Sequence, residues 1–428
     1  MHKSGIQFVW RDFVLILILG SLVRIVIACG LQYALDQQHR FDLIAGDAEG
    51  YWELALDLYA GRDYALYDPP RYVERMPGFP VLLVMPMAIF GANVWAVRIW
   101  LALLGGLTCG IVYLLGCQMT TRRNACVAAG IAMLSPFHAG YSVLFLSETA
   151  FALCMLWALV CWKKLLVHIS ANPIHDNSYS KTWTGYSNAV WLGMAQAMAI
   201  YMKPSWGLAP WGMLLLTCLL CVHRSLAVAG YFALSIVVIG LCLLPWGWRN
   251  YRVTGHFVSM TLWSGPSLYD GLNPHADGSS NMAFVDRDKL SHSYSEYEVD
   301  QIYRQRAKEF ATANPGRVAV LAMVKLWRYF KPWASASEIR SWWGHLVIGL
   351  SWVVVVAGGL LGLMRGCVGW RDAVILIFPL VYFAAIHMVF VSSMRYRLPA
   401  DYTLMIPAGI FWMHCWNRIS KTEIVTEN

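Results

Sequence analysis

Two isolated acids and a scatter of cations carry the chemistry that this 428-residue sequence could perform. Asp47 and Glu49 follow Gly46 at the start of a helical pattern, and Glu148 stands inside an otherwise apolar run. Near them in type, though not in sequence, are Arg71 and Arg75 ahead of Pro77-Gly78, Lys203 before Pro204, Arg249 beside Asn250, and Arg395 and Arg397 before Pro399. A carboxylate within reach of a hydroxyl can take its proton as the oxygen attacks. Arginine and lysine can hold the phosphate that leaves. These residue types suit a reaction on an anionic lipid headgroup. Each also has a plainer use. Asp47 ahead of a helix is by default an N-cap. Lys203, Arg395 and Arg397 would serve as snorkelling anchors for anionic lipid, and Arg249-Asn250 beside tryptophan as an aromatic-belt boundary. Glu148 resists such an explanation, because an acid within an apolar segment is costly and usually functional. Asp47 and Glu148 could also bind a divalent cation, or act without one.

The elements that must position these residues are membrane helices. The chain is 58% hydrophobic and only 14% charged, with a mean hydropathy of +0.49, where a soluble domain carries roughly a quarter charged residues. The net charge of +8 lies in short groups between apolar runs, which speaks against nucleic acid as a partner. The eleven cysteines sit in or beside those runs and not in the long polar stretches, so an exported disulfide-stapled domain is not expected. Cys218-x-x-Cys221, inside such a run, reads as two small core hydrophobes.

Apolar runs near 13–35, 94–116, 125–143, 148–167, 188–202, 205–222, 226–246, 343–364, 373–391 and 400–416 predict about ten transmembrane helices in a single all-α domain over 1–428. The first is expected to stay uncleaved, since Arg24 interrupts the run before the lipoprotein-like Val26-Ile27-Ala28-Cys29. Cations on alternate short loops (Lys3, Arg11, Arg122, Arg123, Lys163, Lys164, Arg224, Arg365, Arg371, Arg418, Lys421) assign those loops to the cytoplasm. The long loops 36–78 and 247–341 then face outward together. In the first, Tyr51, Leu54, Ala55 and Leu58 share a helical face ending at Gly61, and the run 79–90 is expected at the interface. In the second, Ser295 and Glu298 form a capping box, and Val299, Ile302, Tyr303, Arg306 and Phe310 form the face of a helix that stops at Asn314-Pro315. Residues 318–333 read as a second interfacial helix. No nucleotide-cradling glycine loop, H-E-x-x-H or G-x-S-x-G is present.

The stretches Gly46-Asp47-Ala48-Glu49-Gly50-Tyr51 and Arg75-Met76-Pro77-Gly78-Phe79-Pro80 resemble the first outer loop of membrane glycosyltransferases of the C superfamily. The branch is the one containing aminoarabinose lipid A transferases and protein O-mannosyltransferases. Leu146-Ser147-Glu148-Thr149 resembles that family's second acidic position, Lys203-Pro204 stands where relatives often have Arg-Pro, and Pro245-Trp246-Gly247-Trp248-Arg249-Asn250-Tyr251 is similar to Pro-Trp-x-x-Arg-Asn-Tyr. Asn314-Pro315-Gly316-Arg317, Lys325-Leu326 and Arg395-Tyr396-Arg397-Leu398-Pro399 also match recurrent stretches. The resemblance runs from about 46 to 410. It implies an inverting transferase that takes a sugar from a polyprenyl-phosphate carrier in the outer leaflet of the cell (inner) membrane, with a lipid, glycan or protein hydroxyl as acceptor. Asp47 and Glu148 would be catalytic; Lys203, Arg249, Asn250, Arg395 and Arg397 would bind the donor phosphate; Glu49, Tyr51, Arg75, Pro77 and Gly78 would position the first loop. The separate C-terminal soluble domain of some family members is not expected here, since the sequence ends soon after its last apolar run. Alanine separates Asp47 from Glu49, whereas relatives commonly place the two acids side by side. A flippase for polyprenyl-linked sugars and an O-antigen ligase or polymerase are the competing readings. A transporter is less consistent with polar groups on one face and no internal repeat, and a ligase would rely on arginines in large late loops.

Overall fold

A computed structural model describes residues 3–41, 46–171, 179–221, 225–333 and 342–426. The chain is helical throughout; among the described residues the β-structure is one isolated bridge, Leu66 to Arg71. The helices run α1 Lys3–Gln37, α2 Asp47–Tyr59, α3 Gly78–Phe90, α4 Val94–Cys117, α5 Arg122–Leu134, α6 Pro136–Tyr141, α7 Glu148–Ala171, α8 Tyr179–Met202 and α9 Ala209–Leu220. They continue as α10 Ser225–Thr254, α11 Ser264–Gly271, α12 Ala283–Asp288, α13 Glu296–Ala313, α14 Pro315–Phe330, α15 Trp342–Trp352, α16 Gly358–Met364, α17 Trp370–Val389 and α18 Leu398–Thr426.

Six helical stretches among the described residues are long and apolar enough to cross a membrane: Val9–Gln37, Val94–Cys117, Glu148–Ala171, Ala227–Thr254, Trp342–Met364 and Trp370–Val389. They fall on six of the ten expected crossings. The expected span 125–143 is not one helix. Pro136 disfavours helical backbone at Ser135, whose ψ is 110°, and the chain restarts as the six-residue α6. The expected span 205–222 is a short 3₁₀ turn, Pro204–Trp206, followed by the twelve-residue α9, which reaches only about 18 Å at 1.5 Å per residue. The runs at 188–202 and 400–416 lie on the longer α8 and α18. Of the short-loop cations, Arg224 and the side chains of Lys3 and Lys421 lie outside the described residues.

Helix α4 sits at the centre, between α1, α5 and α7. A membrane gives apolar helices little hydrophobic reason to associate, so close packing of small residues must supply it. Gly106 shows the constraint: a Cβ there would lie 2.1 Å from Ser21 Oγ and 2.7 Å from the Leu17 carbonyl oxygen of α1. The arginine within α1 is fully buried at the same seam. Arg24 donates to the carbonyls of Gly20 (3.1 Å) and, across the bundle, Ala132 (2.9 Å). That second carbonyl lies in the last turn of α5, just before the Ser135–Pro136 break.

The two long loops meet at one end of the bundle, where Glu296 accepts from the amides of Tyr72 and Val73 and Leu262 N–H donates to Val73. At the other end Arg122 pairs with Asp12, Lys163 with Asp372, and Arg371 donates to Ser170. The loop helices match expectation. Helix α2 buries Ala48, Gly50, Leu54 and Ala55 and the chain turns at Gly61; the Ser295–Glu298 capping box opens α13, which buries Val299, Tyr303 and Ala307. Helix α3 buries Phe79, Leu83 and Met87 while exposing Val81, Met85, Ile89 and Phe90, and α14 exposes Val320, Met323, Val324 and Trp327. Each helix thus buries one side and exposes an apolar other side.

The short-loop cations predict that the two long loops lie outside the cell. Single cysteines at Asp57 or Ser279 in a Cys-free background should react with an impermeant maleimide added to intact cells, and one at Lys164 only after permeabilisation. The reverse labelling pattern would invert the topology.

Candidate active site

The bundle brings Asp47 and Glu148, 101 residues apart in sequence, onto the two ends of one guanidinium. Arg395 donates from Nε to Glu148 Oε1 (2.7 Å) and from Nη2 to Asp47 Oδ2 (2.8 Å). Arg75 donates to Asp47 Oδ1 (3.1 Å), and Lys203 to Glu148 Oε1 (3.0 Å). Both acids are first residues of helices, α2 and α7. The cluster therefore combines three cations, two carboxylates and two helix N-termini, each end equivalent to about half a positive charge. A net positive site remains even with both acids ionised.

Local sequence explains each placement. Asp47 is not the N-cap it was expected to be: Gly46 holds that position, and Asp47, one residue on, is free to turn its carboxylate to the arginines. Glu49 Oε2 accepts from the Gly46 amide (3.3 Å), so it fastens the start of α2 and makes no contact with the cluster. Glu148 starts α7 after the irregular, buried segment 142–147, and its side chain is 0% exposed. That segment is held by Arg98 of α4, which donates to Val143, Phe41 and Gln32. Lys203 follows the end of α8, and its ammonium sits 5.2 Å from the centre of the Tyr396 ring. Tyr51 lies beneath Arg75, whose guanidinium is 4.6 Å from the ring centre, and its hydroxyl is 3.4 Å from Ser147 Oγ. Pro77 precedes the first turn of α3. Gly78 is required by contact: a Cβ there would lie 2.6 Å from the Tyr201 carbonyl oxygen, so the first loop is seated directly on the end of α8 that carries Lys203.

Three residues expected at the phosphate are engaged elsewhere. Arg249 donates to the carbonyls of Tyr72 (2.5 Å) and Tyr64 (2.9 Å), and Asn250 to those of Val258 and Met260. Both therefore brace the loops. Arg397 is buried, pairing with Asp401 (2.9 Å) and donating to the Tyr329 carbonyl (2.6 Å). Asp401 Oδ2 lies 3.8 Å from His138 Nε2, and His138 Nδ1 is 2.7 Å from Ser135 Oγ. Spacing in Arg395-Tyr396-Arg397 alone does not tell which of the two arginines turns to an internal partner. Arg98, His138, Asp401 and Glu296 were not singled out; each lies beside a helix start or in an apolar run where a cap or a packed polar residue is the ordinary explanation.

Electrostatics keep Asp47 ionised. Removal from bulk water pushes its carboxyl up, but Arg395 and then Arg75 outweigh that, holding it well below the usual carboxylate range. Glu74, behind Arg75, goes the other way: burial raises it although Arg75 and Arg71 oppose. A divalent cation held by Asp47 and Glu148 would have to displace cations now paired with them. Both oxygens of Asp47 and Oε1 of Glu148 already accept from cationic groups, and among the buried atoms of the pair Oε2 of Glu148 alone lacks a partner. No group of three or more metal-type ligands occurs among the described residues.

The fold is that of the C-type membrane glycosyltransferases. The archaeal oligosaccharyltransferase AglB from Archaeoglobus fulgidus, solved with an inhibitory peptide and a dolichol-phosphate, superposes with a TM-score of 0.59 at 11% identity, over 97% of this chain and 51% of its own. The Archaeoglobus fulgidus oligosaccharyltransferase solved with zinc and sulfate gives 0.58 at 13% identity, over 94% and 49%. ArnT from Cupriavidus metallidurans bound to undecaprenyl phosphate gives 0.45 at 17% identity, over 92% and 77%. The chain spans about half the length of the archaeal enzymes it matches. No family model and no curated protein sequence matches it.

The ion pairs predict unequal costs. Glu148→Gln removes the partner of two cations at a buried position and should cost about 3–5 kcal/mol. Asp47, with 41% of its side chain exposed, should tolerate Asn at a cost of about 1 kcal/mol or less. Thermal unfolding of the two detergent-solubilised variants should show the Gln variant melting well below the Asn variant; equal melting temperatures would contradict the difference in burial.

Proposed function

We propose that the chain is an inverting glycosyltransferase that moves a sugar from a polyprenyl phosphate to a hydroxyl acceptor at the outer face of the membrane. The observation that carries this reading is the Asp47–Arg395–Glu148 bridge, a positively biased site at one end of a membrane bundle. The fold supports it, and so do the lipid phosphates bound by AglB and ArnT. The sugar is a hexose or a pentose, and the acceptor a lipid, glycan or protein hydroxyl.

In this mechanism the acceptor oxygen attacks the anomeric carbon opposite the phosphate. The carbon–oxygen bond to phosphate breaks, the electron pair leaves on the polyprenyl phosphate, and configuration at the anomeric carbon inverts. Asp47 receives the acceptor proton. Arg395 and Lys203 neutralise the charge gathering on the departing phosphate. Asp47 in its paired state is a weak base, because two guanidiniums stabilise its anion. A donor phosphate that draws Arg395 toward itself removes one of those cations, so donor binding itself raises the basicity of Asp47. Glu148 keeps Arg395 and Lys203 ordered at the moment of exchange.

One isosteric change tests the assignment. Asp47→Asn should reduce transfer from a polyprenyl-phosphate sugar by roughly 10²–10⁴-fold, the usual range for a lost general base, while leaving the fold intact. A stably folded Asn variant with wild-type turnover would remove Asp47 from the chemistry.

A further inference from the structure

The segment that delivers Arg75 to Asp47 is held on one side from its own loop, where Tyr64 Oη donates to the carbonyls of Arg75 (3.3 Å) and Met76 (3.2 Å). Residues 72–75 carry no helix, yet Val73 is fully buried and Glu74 nearly so. Buried peptide groups need partners, and for Tyr72 and Val73 every partner comes from the second outer loop or its root. Glu296, the first residue of α13, accepts the Tyr72 amide on Oε2 (2.9 Å) and the Val73 amide on Oε1 (3.0 Å). Arg249 of α10 donates to the Tyr72 carbonyl (2.5 Å), and Leu262 N–H to that of Val73 (2.9 Å). The next two residues face the cluster. Glu74 accepts from Arg71 (3.0 Å), Arg75 Nε lies 3.8 Å from Glu74, and Arg75 grips both the carboxylate (3.1 Å) and the carbonyl (3.4 Å) of Asp47.

We infer that Glu296 is a positioning residue for the transfer reaction: its carboxylate fixes the 72–75 strap, and through it Arg75, on Asp47. This rests on the reading of Asp47 as the base, and it deepens that reading by making the second outer loop part of the site. Glu296 reaches no reacting atom. Its role is to set the length and angle of a four-residue strap whose other end is an ion pair. The helix start that holds Glu296 is itself rigid, since Ser295 and Glu298 cap it reciprocally. A loop at 247–341 that swung away would release both amides and the Val73 carbonyl, leaving Tyr64 alone to hold the backbone at Arg75.

The charged groups around Glu296 are Arg71 and Glu74 on the strap, Arg249 at the end of α10, and Glu298 on its own helix, with His256 stacked on the neighbouring Tyr297. Burial raises its carboxyl to about 7 and Glu74 adds to this, against the two amides and Arg71. A carboxyl raised in the folded state binds more protons than it does in the unfolded chain. Its contribution to stability is therefore complete below about pH 4.5 and is lost as the pH rises through about 7. Glutamine at 296 keeps an acceptor for the strap and removes that titration.

The test uses the full chain in lipid nanodiscs, as wild type, Glu296→Ala and Glu296→Gln, followed by amide exchange, thermal unfolding and transfer from an undecaprenyl-phosphate sugar. The Ala variant should exchange the 72–73 amides about tenfold faster, the effect of about one lost charge-assisted hydrogen bond, with α4 and α7 unchanged. Its kcat should fall about tenfold or more while KM for the donor stays nearly constant, as expected when a base is misaimed, and Gln should restore most of the rate. Melting temperature should decline from pH 5 to pH 8 more steeply in wild type than in the Gln variant. Unchanged exchange at 72–75 in folded Glu296→Ala overturns the inference whatever the transfer assay gives. So does faster exchange with a wild-type kcat, because the strap would then be structural only. Faster exchange beside a wild type with no transferase activity sinks the proposed function and supports the strap, since the exchange result needs no substrate.

Discussion

A single guanidinium holds this structure's two acids together. Arg395 occupies the gap between Asp47 and Glu148, whose segments also meet through Tyr51 against Ser147 and Trp52 against Phe145. Two carboxylates at the edge of a bilayer would repel each other and resist losing water. With Arg395 between them, and Arg75 and Lys203 on their flanks, the repulsion becomes attraction. The starts of α2 and α7 are thereby fixed relative to the turn before α18. Everything else at this end of the bundle serves that arrangement: Arg98 fixes the segment leading to Glu148, Gly78 lets the first loop sit on α8, and Glu74 backs Arg75. The same three cations that stabilise the acids are the groups a phosphate would need. Site and scaffold are therefore built from one set of charges, and a ligand must compete with the scaffold for them.

Membrane helices supply the frame at modest specificity, and the loops supply the precision. The transmembrane seams depend on small residues and buried backbone acceptors, as at Gly106 and Arg24. The outer loops depend on directional hydrogen bonds to peptide groups, as at Tyr64, Tyr72 and Val73. Such bonds fix a segment that has no secondary structure of its own.

Sequence reading recovered the class, the helices of both loops and the residues of the central cluster, because each left a local signature. Apolar runs mark spans, the Ser295–Glu298 spacing marks a helix start, and an isolated Glu148 in an apolar run has few bland explanations. What was not legible shares a cause. Ser135-Pro136 breaks a run whose hydropathy is continuous, so composition alone counts it as a span. Asp47 sits one position inside the helix and not at its cap, a difference of one residue that frees its side chain. Arg249, Asn250 and Arg397 have the chemistry of phosphate ligands, and their partners are backbone carbonyls or an acid brought near by folding. Backbone groups brought near by folding leave no trace in a sequence, which is also why Glu296, held by two amides, was not singled out.

The buried Arg24 has a meaning for how the protein is made. Its cross-bundle acceptor, the Ala132 carbonyl, lies 108 residues further along the chain. At about 5–20 residues per second, that acceptor is synthesised roughly 5–20 s after the arginine. In that interval α1 carries an unsatisfied cation that lipid does not accept cheaply. The helix cannot settle into the bilayer as an independent unit; it must wait at the insertion machinery, or with its charge drawn to an interface, until α4 and α5 arrive. The order of assembly is thus written into one side chain: the seam between α1, α4 and α5 closes first, and the outer loops find each other on a bundle already formed.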